Sequence, residues 1–202
     1  MMIAIITGGI NLSIVSTANL SNVLMAIALT RFVPSGSEDC WLTVLAIIAG
    51  GLLFSTFLGL INGLFIAYVG VSAVLTTVGT MIFYEGITLA ITKGYVLSGF
   101  PAEFLILGKT FLGIPIPFFI FIIAALVLWF IFKGRPFGRQ LFMIGSNKVA
   151  VEYSGVNVKH VLVKAYMLSG AYAGLAGIVM LARFNSANAR YGASYLLVSV
   201  LV

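Results

Sequence analysis

Charge is what this sequence has least of. Only 8% of its 202 residues are Asp, Glu, Lys or Arg, whereas 61% are hydrophobic. A soluble domain carries about 25% charged residues, so this chain cannot clothe a surface that faces water. A soluble fold is excluded. Cysteine and histidine occur once each, as Cys40 and His160. Single copies can form neither an internal disulfide nor a Cys/His zinc site, and no metal site is expected. The five carboxylates (Glu38, Asp39, Glu85, Glu103 and Glu152) are scattered, and no G-x-S-x-G elbow is present. Catalysis is therefore not expected of this chain. The formal charge of +6 does not imply nucleic acid. In so apolar a sequence, basic residues set membrane orientation instead of forming a solvated binding face.

What is present is a series of long apolar runs. Residues 12–30, 42–68, 71–92, 116–132 and 165–182 each come close to the roughly 20 residues that a helix needs to cross the hydrocarbon. The expected fold is an all-α integral membrane protein, a polytopic helical bundle of about five complete spans. The break near Gly70 is short and uncharged. Residues 195–202 open a further apolar run that stops inside itself, and no cationic leader precedes the first. Residues 1–202 thus read as a single transmembrane domain, cut from a longer one at both ends.

Residues 133–164 hold Lys133, Arg135, Arg139, Lys148, Lys159 and Lys164 against the single acid Glu152. The positive-inside rule places this segment in the cytoplasm of a multi-pass plasma-membrane protein, with loops 31–41 and 93–115 outside. Two spans carry rows of small residues. Gly51, Ser55, Gly59 and Gly63 recur every four positions, and Gly170, Gly174 and Gly177 form a similar row in the last span. Such spacing lets helix backbones approach closely, which predicts helix packing.

Polar residues also lie within the apolar runs. Asn11, Asn19 and Asn22 fall within about 80° of a helical projection, and Ser13 lies in the same first stretch. Thr76, Thr77, Thr80 and Tyr84 share an arc of about 100° in the third span. Amides are costly in lipid without partners or water, so the asparagine arc is expected to face the bundle interior or a polar path. With Asn62 of the second span, these side chains suit a neutral, hydroxylated cargo. Self-bonding of Ser and Thr to their own helix backbone competes with that role. Glu85 is the one carboxylate well inside a span, and a proton relay would need a second ionisable group there.

Residues 137–158 are patterned beyond the needs of a linker. Leu141, Ile144, Val149 and Tyr153 fit one helical side, interrupted at Gly145-Ser146-Asn147. Ser146 or Asn147 can cap a short helix over 148–154, and Gly155 can close it. An element of this kind lies on a membrane surface or docks into a partner protein.

Gly8-Gly9-Ile-Asn-Leu-Ser13 resembles the start of permease subunits of the ribose-type, or simple-sugar, ABC importers, although their usual wording has aspartate at Asn11. Gly59-Leu-Ile-Asn-Gly63 and Thr76-Thr-Val-Gly-Thr80 are similar to the family's next motifs. So are Phe137-Gly-Arg139, Ile144-Gly-Ser-Asn147, Tyr153-Ser-Gly-Val-Asn157, Ser169-Gly170, Ala176-Gly177 and Ala182-Arg183. The resemblance runs over nearly the whole chain in order and spacing. It implies a subunit of about ten helices that pairs with a second permease subunit, two cytoplasmic ATPases and an external substrate-binding protein. It also implies that Phe137, Gly138, Arg139, Ile144, Gly145, Asn147, Tyr153, Ser154 and Gly155 form the ATPase-coupling segment. ATP and Mg would then be held by the partner, with no cofactor in this chain. The run ending Gly108-Lys109-Thr110 is a near-miss to a P-loop, because Glu103 stands where the first glycine belongs and would repel phosphate. A branched-chain amino-acid ABC permease is the sister alternative. An ion-coupled secondary transporter is an alternative of another class.

Overall fold

The structure, a computed structural model, describes residues 1–33, 40–111, 113–192 and 195. Part of the expected outer loop 31–41 and most of the run 195–202 lie outside the described residues. A one-turn helix α1 (Met2–Ile6) is followed by irregular backbone and then by α2 (Ile14–Phe32). Helix α3 (Cys40–Leu64) continues into a π-helical turn, Phe65–Val69, and α4 (Ala73–Thr92) follows. Beyond a short strand β1 (Leu97–Ser98) come α5 (Ala102–Leu105), a 3₁₀ turn (Ile106–Gly108) and the hairpin β2 (Thr110–Phe111) and β3 (Ile114–Pro115). Helices α6 (Ile116–Gly134), α7 (Pro136–Ser146), α8 (Lys148–Tyr153) and α9 (Val158–Phe184) complete the helical part, and β4 (Ser186–Ala187) returns to pair antiparallel with β1. Among the described residues, five helices are long and apolar enough to span a membrane. The protein is an all-α polytopic membrane protein.

Local chemistry explains the boundaries. Gly70 takes a left-handed φ of 81° to end the π turn, a conformation that costs other residues about 1–2 kcal/mol. Ser72 then caps α4 by accepting from Leu75 N at 3.4 Å. The last span is longer than its hydropathy predicts, 27 residues from Val158 instead of a start at 165. Asn157 accepts from His160 N at 3.1 Å and nucleates the helix ahead of the apolar run. Lys159 and Lys164 are therefore carried on the first turns of α9 and are exposed, with the Lys159 ammonium 5.5 Å from the Tyr68 ring centre. With α6 reaching Gly134, the segment expected over 133–164 narrows to residues 135–157 outside the spanning helices.

The bundle has two distinct ends. At one, Phe100 and Phe104 of the β1–α5 region pack with Leu29, Val44, Leu181 and Ala187. At the other, Ile3 of α1 packs with Leu141, Ile144, Val151, Val158 and Leu162. Between them, α3 and α9 meet backbone to backbone. A Cβ on Gly170 would lie against the Ser55 carbonyl oxygen and 2.9 Å from Gly59 Cα. One on Gly63 would come within 2.9 Å of Val163 Cα. Gly174 lies against the Ser55 side chain, Gly51 against Met25, and Gly177 against the Asn22 amide. Gly59, Gly63, Gly170 and Gly174 thus make a seam between α3 and α9, while Gly177 and Gly51 admit α2 beside them.

Candidate functional site

The polar residues of the sequence converge where the backbone is irregular. Residues 7–13 link α1 to α2 without helix, at the level of the bundle core. Non-helical backbone at membrane depth survives only where protein or a water-lined cavity satisfies it. Here side chains do so. Asn11 Nδ2 donates to Ser169 Oγ at 3.1 Å, and its Oδ1 accepts from Ser13 N at 3.2 Å and Ser13 Oγ at 2.9 Å. Asn62 Nδ2 donates to Ser13 Oγ at 2.8 Å. Thr77 Oγ1 reaches Ile10 O at 3.1 Å while also bonding Ala73 O of its own helix at 2.8 Å. One network therefore ties α3, α4 and α9 to the break before α2.

A second irregular stretch follows β4 and runs back along α2. Asn19 Nδ2 donates to Ala189 O at 2.9 Å and to Tyr191 O at 2.8 Å. Replacing Asn19 with leucine strands two carbonyls, at about 1–3 kcal/mol for each one left buried. We expect the 188–192 amides of Asn19→Leu to exchange hydrogen far faster than in the parent, by mass spectrometry. Asn22→Leu is the contrasting case. Asn22 Oδ1 is buried without a partner beside Gly177, so its replacement should leave that exchange unchanged.

The threonine arc is split. Thr76, Thr77 and Tyr84 are buried, and Thr80 is half-buried. Thr77, Thr80, Thr88 and Thr92 all bond carbonyls one turn back in α4, and Tyr84 OH donates to Leu58 O at 3.3 Å. Among the described residues, Asn62 Oδ1, Thr76 Oγ1 and Tyr166 OH join Asn22 Oδ1 as buried polar atoms with no partner. Sequence reasoning passed over Tyr166 because one tyrosine in an apolar span carries no periodic signal. Its hydroxyl lies 2.8 Å from where a Cβ on Gly9 would stand.

Residues assigned to coupling gather at the α1 end. Gly138 and Ile144 are buried, and a Cβ on Gly138 would meet the Phe132 backbone. Phe137 packs partly buried against the apolar cluster there, while Arg139 is exposed. Gly145 does not break the helix. It sits within α7, where a Cβ would meet the Ile6 carbonyl oxygen, so only a residue without one lets α7 lie that close to α1. The interruption falls at Asn147 alone, which caps α8 by accepting from Ala150 N at 3.0 Å. That restart shifts the register. Val151 is buried, whereas Val149 and Tyr153, expected on one helical side with Leu141 and Ile144, are 59% and 89% exposed. Tyr153, Ser154 and Gly155 (φ 80°) form an exposed tip.

Around the P-loop-like run, Lys109 is extended and Thr110 lies in the β2–β3 hairpin, so no helix start follows to receive a phosphate. A cavity of about 230 Å³ with polar groups in its lining lies between α2, α4 and the stretch after β4.

The fold defines a polytopic helical membrane protein with a hydrogen-bonded polar interior and a two-helix knob at one end. The chain belongs to the family described as branched-chain amino acid transport system / permease component, whose profile matches residues 1–202. It is 33% identical over 193 residues to the D-allose transport system permease protein AlsC of Escherichia coli (strain K12), covering 95% of this chain and 57% of AlsC. It is 36% identical over 198 residues to the ribose import permease protein RbsC of Bacillus subtilis (strain 168), covering 96% of this chain and 59% of RbsC. With the autoinducer 2 import system permease protein LsrD of Yersinia enterocolitica it shares 31% over 203 residues, 97% of this chain and 59% of LsrD. The chain thus spans well under two thirds of each relative's length. No solved structure matches.

Proposed function

We propose that this chain forms part of the permease subunit of an ABC importer for a simple sugar or a related hydroxylated molecule. The knob α7–α8 carries this reading. It is an exposed, capped, basic-flanked element rooted through Leu141, Ile144 and Val151 in the same cluster as α1 and α9. A partner that pushes on it moves the start of the first span and the foot of the last. In this reading ATP and Mg are bound by a separate ATPase, an external binding protein delivers the cargo, and a second permease subunit completes the path.

The interior supports a neutral cargo, since the network Asn62–Ser13–Asn11–Ser169 offers amides and hydroxyls without fixed charge. The ribose, allose and autoinducer names of the relatives point the same way. The family description favours a second reading, branched-chain amino acids. Uptake of labelled D-ribose, D-allose and L-leucine by the full-length subunit, reconstituted with its ATPase and binding protein, separates the two. ATP-dependent uptake of either sugar is the expected result, and uptake of leucine alone would replace it.

Orientation is open to direct test. Tyr95 and Ser154 are exposed at opposite ends of the bundle. In a Cys40→Ser background, Tyr95→Cys should react with an impermeant maleimide on intact cells, and Ser154→Cys only after permeabilisation. The reverse pattern would place the knob outside and remove the ATPase contact. Ser37, a natural choice for the outer probe, lies outside the described residues.

A further inference from the structure

We propose that the cavity between α2, α4 and the stretch after β4 is a subsite for an uncharged, polyhydroxylated ligand, bracketed by Glu85 and Arg190. It rests on the sugar-permease reading above and gives that reading a place in the fold. The cavity, about 230 Å³, is lined by Val15, Ser16 and Asn19 of α2, Met81 and Glu85 of α4, and Ala189 and Arg190. Glu85 is the only carboxylate within the five spanning helices, seven residues or about 10 Å from the end of α4. A carboxylate at that depth is expected to pair with another group or to face water or a ligand. Among the described residues, Glu85 has no partner. Neither its carboxylate nor the Arg190 guanidinium bonds another described residue, although both face one cavity.

The donor and acceptor inventory selects the ligand. Asn19 spends both amide hydrogens on the Ala189 and Tyr191 carbonyls, which leaves its Oδ1 to accept. Ser16 spends its hydroxyl hydrogen on Ser13 O, which leaves its lone pairs to accept. With the Glu85 carboxylate, the inner wall is acceptor-rich, and the one strong donor, Arg190, is exposed at the mouth. A wall of acceptors fits a ligand that brings many hydroxyl donors. Val15 and Met81 supply apolar contact for the C–H face of a sugar ring. The volume lies below the roughly 300 Å³ at which drug-sized sites begin, which suits a monosaccharide. An amino-acid zwitterion carries its three donors on a single ammonium and would set its carboxylate against Arg190, so uptake of L-leucine in place of either sugar is the result that would reassign this cavity.

The test uses the full-length permease with its ATPase and binding protein in proteoliposomes. Glu85→Gln and Arg190→Gln should each lower uptake of D-ribose or D-allose about tenfold, the loss of one charge-assisted hydrogen bond. The charge-swapped double variant, Glu85→Arg with Arg190→Glu, should stay impaired. Its recovery would show that the two charges only neutralise each other, and would overturn the subsite. Independently of these variants, Met81→Cys in a Cys40→Ser background reports the cavity itself. Its reaction with a small cationic methanethiosulfonate should slow severalfold in millimolar ribose or allose. Normal uptake by both single variants, with no protection by either sugar, would overturn the subsite and leave the sugar-permease reading standing. A parent protein that takes up neither sugar would overturn that reading and the subsite with it.

Discussion

Gly170→Val is expected to part α3 from α9 and leave a subunit that does not survive purification intact. A Cβ there meets the Ser55 carbonyl oxygen, with Gly59 Cα at 2.9 Å and Gly59 N at 3.1 Å. These are backbone atoms and cannot rotate aside as a side chain would. Overpacking a well-filled core costs about 1–3 kcal/mol even where side chains give way, so the cost here should reach or exceed the upper figure. The sign is informative, because helix propensity alone favours valine over glycine by a few tenths of a kcal/mol. Gly50→Val and Gly86→Val are the controls, since nothing lies within 4 Å of either position. Monodisperse protein after a heating series, read by size exclusion, should fall sharply for Gly170→Val and stay at the parent level for the controls. An unchanged profile for Gly170→Val would mean that the seam is looser than its geometry.

Under the proposed function, in which the α7–α8 knob meets an ATPase, Gly145→Leu is expected to uncouple the two. The side chain would have to enter the space held by the Ile6 carbonyl and lift α7 away from α1, opening the cluster of Ile3, Leu141 and Ile144. Co-purification of the full-length permease with its ATPase, and transport-stimulated hydrolysis, should both be lost. Gly155→Leu acts by another route. Its φ of 80° costs an L-residue about 1–2 kcal/mol, while nothing crowds the position, so association should weaken without vanishing. Lys148→Ala should change little, as an exposed charge contributes about 0–1 kcal/mol. Normal association and normal stimulated hydrolysis in both glycine variants would rule out the knob as the contact.

The five spans were legible because crossing hydrocarbon imposes one strong demand, some twenty apolar residues, that local composition records. The caps at Asn147 and Asn157 were equally local, although only the first was read. Helix α1 was missed because its five residues merge with the irregular stretch after it. Tyr153 was misplaced because a helical pattern was carried across a cap that resets the phase. The polar interior shows the deeper limit. Asn19 and the Ala189 carbonyl are 170 residues apart, and backbone carbonyls leave no mark in a sequence. Which amides hold a broken backbone and which stay free is therefore decided in three dimensions. The same holds for Arg190, 105 residues from Glu85 in the chain and brought to the same cavity only by the fold.

The contact of Gly59 with Gly170 also limits how the protein can move. Two antiparallel helices touching main chain to main chain cannot slide past each other, for a shift of even one residue, about 1.5 Å, would drive a β-carbon into the opposite backbone. Helices α3 and α9 are therefore expected to move together. Any opening of the interior toward either face must be made by the parts outside that pair. Chief among them are α1, packed against α7 at Gly145, and the seven irregular residues between α1 and α2.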